Sequence, residues 1–125
     1  MFDTLAGPGR RRSATRYGLP MRIITGAGPD APPGYTEHLR VPDMSFGTYR
    51  LPAGGADEQS PHTEDEVYVC AAGRARIVTP GGSADVGPGT VVFVPAGEEH
   101  RFVDITEELV LLVFFGPAEY ARAAS

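Results

Sequence analysis

The chain has 125 residues, 42% of them hydrophobic, which suits one soluble domain with a core of its own. A formal charge of −5 and an isoelectric point near 5.1 exclude the basic footprint of a nucleic-acid-binding protein. Sixteen glycines and twelve prolines, with no repeat period, imply many tight turns between short strands.

In chain order, residues 1–20 are polar, punctuated by glycine and proline, and expected to be a flexible N-terminal segment. Arg10, Arg11, Arg12 and Arg16 crowd into it and read as a solvated basic run. Residues 21–25 offer a first strand, and residues 26–34, with three glycines and three prolines, a loop. A short strand is expected at 37–41, ended by Pro42 and Asp43. A clearer one at 44–51 carries Phe46, Tyr49 and Leu51, and residues 52–55 then turn the chain. From there one rhythm repeats: strands at 66–71, 74–79, 84–86, 90–94, 100–104 and 109–115, with turns at Ala72-Gly73, 80–82, 87–89 and 95–97. Short strands at roughly 8–12-residue spacing between such turns point to an all-β barrel or sandwich. The barrel is placed at 21–117. Residues 118–125 are a C-terminal tail with room for one helical turn.

Two strands are apolar on both faces. Val67 and Val69 alternate with Tyr68 and Cys70, and residues 109–115 barely alternate at all. A small barrel should turn one polar face per strand to water. Either the N-terminal strands or a second subunit must therefore cover the outer faces, and a homodimer is expected. The single cysteine, Cys70, excludes an intrachain disulfide and reads as a small core residue. Residues 1–6 are not followed by an apolar run of signal-peptide length, and no run reaches the length of a membrane span. The expected compartment is the cytoplasm, with no membrane partner.

The chemistry concentrates in two short stretches. One holds His62 and Glu66, the other ends in His100 after the turn at 95–97. Strand side chains alternate, so positions 60 and 62 point the same way. A short turn at 63–65 lets Glu66 begin the next strand facing the same interior, and His100 starts a strand after its own turn. All three can converge in one barrel mouth. Two imidazoles and one carboxylate with open positions form the facial arrangement typical of non-haem Fe(II), and also suit Mn, Co, Ni or Zn. Three protein ligands with solvent in the remaining positions is a catalytic rather than a closed structural pattern. Thr63-Glu64-Asp65 reads as an acidic surface turn, with Glu64 the acid better placed to support or complete a site. Tyr49, Arg50, Tyr68, Phe93 and Phe102 are candidates for lining a pocket, with core packing as the competing reading for each aromatic. Arg50, set between apolar strand residues, either faces solvent or binds a carboxylate. His38 lies outside both stretches and reads as a surface or hydrogen-bonded side chain. No P-loop, dinucleotide-binding glycine motif, nucleophile elbow or Cys-x-x-Cys is present.

The spacing His62-x3-Glu66-x6-Gly73, followed by Gly89-x5-Pro95-x-Gly97-x2-His100-x3-Asp104, resembles the two motifs of the cupin superfamily, G-x5-H-x-H-x3,4-E-x6-G and G-x5-P-x-G-x2-H-x3-N. The resemblance spans about residues 44 to 115. It implies a jelly-roll double-stranded β-helix, with Glu66, His100 and His62 as metal ligands. Two positions depart from the pattern. Asp104 replaces the final Asn, and the first histidine of the first motif falls on Ser60, a poor ligand. Water, Gln59, Glu58 or Glu64 could take the fourth place.

Two functional readings follow. The first is a metal-dependent enzyme acting on a small organic molecule inside the barrel, with Fe preferred. The metal would activate O2 for a dioxygenase-type reaction, the branch that the open positions of the triad favour, or act as a Lewis acid for isomerisation, cyclisation or lyase chemistry. The second is a non-catalytic cupin that binds a small ligand and has lost part of its metal site. A regulatory sensor is disfavoured, because no output domain is attached. The same barrel supports many chemistries, so the resemblance fixes a site and not a reaction.

Overall fold

The computed structural model describes residues 21–58 and 61–123. Six strands make one antiparallel sheet: β1 (Gly34–Val41), β2 (Met44–Leu51), β3 (Asp65–Thr79), β4 (Gly82–Val86), β5 (Val91–Val94) and β6 (Arg101–Gly116). The order is β1-β2-β6-β3-β4, with β5 also paired to β3. No helix occurs among the described residues.

Strand β2 shows how the sequence selects its faces. Ser45, Gly47, Tyr49 and Leu51 sit opposite Phe115, Val113, Leu111 and Leu109 of β6. Directly opposed residues share a face, so this set lines the interior, while Phe46, Thr48 and Arg50 look outward. The core gathers Leu51, Tyr68, Cys70, Ile77, Phe102, Leu109, Leu111, Val113 and Phe115. Burying a side chain of the Leu or Phe kind stabilises the fold by roughly 1.5–3 kcal/mol.

The strand at 44–51 is found at its expected bounds, but several others are longer. The expected strands 66–71 and 74–79 are one fifteen-residue strand, β3, and 100–104 and 109–115 fuse into sixteen-residue β6. What reads as a turn at Ala72-Gly73 is an irregularity in pairing: Cys70 opposes Leu111, Ala72 opposes Val110 and Arg74 opposes Glu107. The extra residue inverts the alternation. Glu66, Tyr68 and Cys70 are buried before it, and Gly73, Ala75 and Ile77 after it, so both halves of β3 keep facing the core. On β6 the same inversion lies between Phe102 and Ile105, where Asp104 has φ 51°. Asp and Asn are the non-glycine residues that best tolerate this left-handed conformation, which gives a physical reason for Asp104 where the motif has Asn.

The outer face is partly covered from the N-terminal side. The expected strand at 21–25 is not formed, and Met21 and Ile23 are exposed. The loop after it crosses the sheet instead. The Ala27 carbonyl accepts the Thr48 hydroxyl, and the Ala31 carbonyl accepts from Arg50. The apolar row that prompted the expectation of a second subunit is thereby narrowed to the β5 side. There Phe93 and Val91, opposite Val67 and Val69, are each 62% exposed.

Gly73 provides a test of this framework. Its φ is +95°, and a Cβ there would overlap the Glu108 carbonyl of the partner strand. Gly73→Ala is expected to destabilise the fold by on the order of 3 kcal/mol, read as a lower midpoint in chemical denaturation with little change in slope.

Candidate metal centre

Strand β3 delivers Glu66 and Tyr68 to the interior, opposite Val94 and Val92 of β5 on one side and Phe115 and Val113 of β6 on the other. His62 precedes β3. Its backbone carbonyl accepts the Gly97 amide at 2.7 Å, and Asp65 Oδ1 accepts the Ala96 amide at 2.9 Å. The turn that launches His100 is thus tied directly to the segment carrying His62. Two stretches more than thirty residues apart in sequence become one site.

His62, Glu66 and His100 are all buried, and one potential ligand atom from each lies within 4.8 Å of the others. Glu66 Oε1 is 3.3 Å from His100 Nε2 and 3.7 Å from His62 Nδ1. Neither Glu66 Oε1 nor His62 Nδ1 makes a hydrogen bond. Leaving a buried polar atom unpaired costs about 1–3 kcal/mol, and two acceptors facing each other are worse. A cation between them removes that cost, so the donor set of two nitrogens and one oxygen fits a divalent transition metal.

His100 is prepared on both sides. Its Nδ1–H donates to the Glu98 carbonyl at 2.9 Å, so in the neutral ring Nε2 is the acceptor. The Tyr68 hydroxyl lies 2.8 Å from that Nε2 and donates to it when the ring is neutral. Burial pulls the His100 imidazole down, but the Glu66 carboxylate and the Glu98 carbonyl outweigh it and hold the group above its ordinary value. Further along the interior, Asp57 accepts the Tyr49 hydroxyl at 2.6 Å and the Phe102 amide at 2.9 Å. Burial and the Asp57 carboxylate hold the Tyr49 hydroxyl protonated, well above its ordinary value. A cleft lined by Pro61, Thr79, Glu99 and Arg101 among others reaches His100 from solvent.

The other expected site residues divide. Tyr68 and Phe102 are in the core of the barrel, and Tyr49 packs against it. Phe93 is not a pocket residue: β5 alternates, Val94 points inward, and Phe93 faces outward and is exposed. Arg50 also faces outward, where it pairs with Glu108. Gln59 and Ser60 lie outside the described residues. Glu64 is buried, not part of an acidic surface turn, and it turns away from the cluster. Its two oxygens accept the backbone amides of Tyr120 at 2.7 Å and Arg122 at 2.9 Å, and the Thr63 hydroxyl bonds to it as well.

That contact brings in a residue the sequence reading missed. The segment after Pro117 folds back onto the barrel mouth, and Glu119 Oε2 lies 3.0 Å from His62 Nε2. The Tyr120 ring stacks over His62 at a centroid distance of 5.4 Å. Asp57 was missed too. Both lie outside the motif spacings, and an acid near a chain end or in a polar turn carries no signal of its own.

Residues 47–115 match the profile of the Cupin domain family. The chain is a cupin. An uncharacterised protein of Streptomyces coelicolor is 47% identical to this cupin over 85 residues, covering 68% of this chain and 81% of the other. Among solved structures, DMSP lyase DddQ from Ruegeria pomeroyi is 26% identical with a TM-score of 0.58, over 61% of this cupin and 39% of the lyase. This cupin therefore spans well under half of that enzyme's length. Ectoine synthase from P. lautus is 17% identical with a TM-score of 0.61, over 72% of this cupin and 67% of the synthase. KdgF from Halomonas is 17% identical with the same TM-score, over 66% and 76% of the two chains. At such identity the last two speak for the barrel fold alone. The all-β barrel implied by the motif resemblance is the architecture found, and no described helix is long and apolar enough to cross a membrane.

The Glu64 contacts set a pH dependence. Burial pushes the Glu64 carboxyl up, but the Thr63 hydroxyl and the amides of Arg122 and Tyr120 overcome it and hold the group below its ordinary value. A depressed carboxylate contributes stability that is present above its unfolded pKa, about 4.3, and is lost as the pH falls through the lower folded value. Glu64→Gln is expected to cost about 1.5–3 kcal/mol at neutral pH. It should also flatten the acid limb of the stability curve measured by denaturation from pH 7 down to 3.

Proposed function

We propose that this cupin is a metal-dependent enzyme that acts on a small organic molecule inside the barrel, with His62, Glu66 and His100 holding one divalent transition metal. A single observation carries the reading. Two buried polar atoms, His62 Nδ1 and Glu66 Oε1, face each other without a hydrogen bond, and His100 Nε2 is 3.3 Å from the second of them. A bound metal would supply Lewis acidity toward a substrate oxygen, or oxygen chemistry if it is iron.

The rest of the interior favours the Lewis-acid branch, meaning elimination, cyclisation or isomerisation. The Tyr68 hydroxyl sits against the ligand nitrogen of His100, where it holds a proton within reach of a substrate placed at the cluster. Tyr49, kept protonated by burial and Asp57, offers a fixed hydrogen-bond geometry deeper in the barrel. The structural likeness to a protein described as a lyase supports the same branch. Dioxygenase-type chemistry is the alternative that the open triad leaves available.

A different class of function, a barrel that binds a small molecule without metal, draws on Ser60 standing where the family motif has a histidine. Elemental analysis separates the two. The purified protein is expected to carry about one equivalent of Fe, Mn, Co, Ni or Zn per chain, and the His62→Ala/His100→Ala double variant none. Iron would turn the proposal toward oxygen chemistry, and any of the others toward Lewis-acid catalysis. A metal-free protein that also resists reconstitution would sink the metal reading and leave the ligand-binding barrel.

A further inference from the structure

His62 has two ring nitrogens, and they face different partners. Nδ1 points to Glu66 Oε1 at 3.7 Å and makes no hydrogen bond. Nε2 points to Glu119 Oε2 at 3.0 Å. A carboxylate oxygen can only accept, so Nε2 carries the hydrogen, and in the neutral ring Nδ1 presents its lone pair. Glu119 is not a member of the ligand cluster and stands behind the imidazole. It is itself well enclosed, its side chain being 12% exposed against 6% for His62.

We infer that Glu119 is the positioning residue of this centre: it fixes the His62 ring in the Nε2–H form and thereby makes Nδ1 the nitrogen offered to the metal. The inference rests on the reading of the cluster as a metal centre and adds to it a carboxylate from outside both sequence motifs. A histidine ligand whose second N–H is held by a carboxylate is oriented and made more basic, and removing that partner typically weakens metal binding 10–100-fold.

The way Glu119 is held makes the inference testable. Its segment docks through the backbone. The Glu119 amide donates to Ser45 Oγ at 2.8 Å, and the amides of Tyr120 and Arg122 donate to Glu64. Truncating the Glu119 side chain touches none of these bonds, so Glu119→Ala keeps the segment in place. Glu119→Gln keeps an oxygen that can accept from Nε2–H.

Two measurements on the full chain decide the matter. Long-range 1H–15N NMR of the metal-free protein reads the His62 tautomer, and competition with a chelator reads the affinity for Zn2+. The wild type is expected to show the Nε2–H form. Glu119→Ala should give a mixture of tautomers, a protein that still folds cooperatively with a melting temperature lower by several degrees, and a Zn2+ affinity lower by about 10–100-fold. Glu119→Gln should recover the tautomer and most of the affinity. An Nδ1–H ring in the wild type overturns the inference. So does a Glu119→Ala variant with the wild-type tautomer, whether or not its affinity falls, because the ring would then be set by something else. A wild type that binds no Zn2+ but changes tautomer in Glu119→Ala would sink the metal-centre reading while upholding the control of the ring by Glu119.

Discussion

The register of β3 is the constraint on which the rest depends. This strand pairs with β6 along one edge and with β5 and β4 along the other, and Glu66 and Tyr68 project from its inner face. Side chains alternate with a period of two, so a slip of one residue would put both on the outer surface and carry Val67 and Val69 inside. The irregularity after Cys70 lets fifteen residues stay in a curved sheet without losing that phase. Gly73 is required there because the partner strand's backbone comes too close for any side chain. The placement of the site is thus a by-product of the same pairing that makes the core.

The two motif segments are joined by backbone and carboxylate hydrogen bonds rather than by contact between the ligands themselves. The carbonyl of His62 takes the Gly97 amide, and Asp65 takes the Ala96 amide. These bonds bring His100 close to Glu66 before any ion is considered. The interior is left with acceptors that cannot satisfy one another. Such an arrangement is costly where the atoms are buried, and a bound cation would relieve it.

Much of this was legible in the residues. The strand at 44–51 was readable because alternation and flanking turns agree. The triad was readable because two histidines and a glutamate fall at spacings that a barrel mouth can gather. The long strands were not, because Ala72-Gly73 has the composition of a turn and only the partner strand shows it to be a bulge. Arg50 and Phe93 were drawn toward the pocket by their chemistry, while the parity of their strands turned them outward. Glu64 looked like one member of an acidic surface run, and its burial depends on two amides more than fifty residues away. Glu119 was beyond reach for the same reason: its partner is 57 positions earlier, and no periodicity links them.

The match to the family profile ends at residue 115, four positions short of Glu119. His62, Glu66 and His100 therefore lie within the matched region, while Glu119, behind His62, lies beyond it. Relatives can keep an identical triad and still differ in how firmly one imidazole is aimed. If the cluster holds a metal, substitutions in the few residues after the barrel would retune ion capture without touching a ligand.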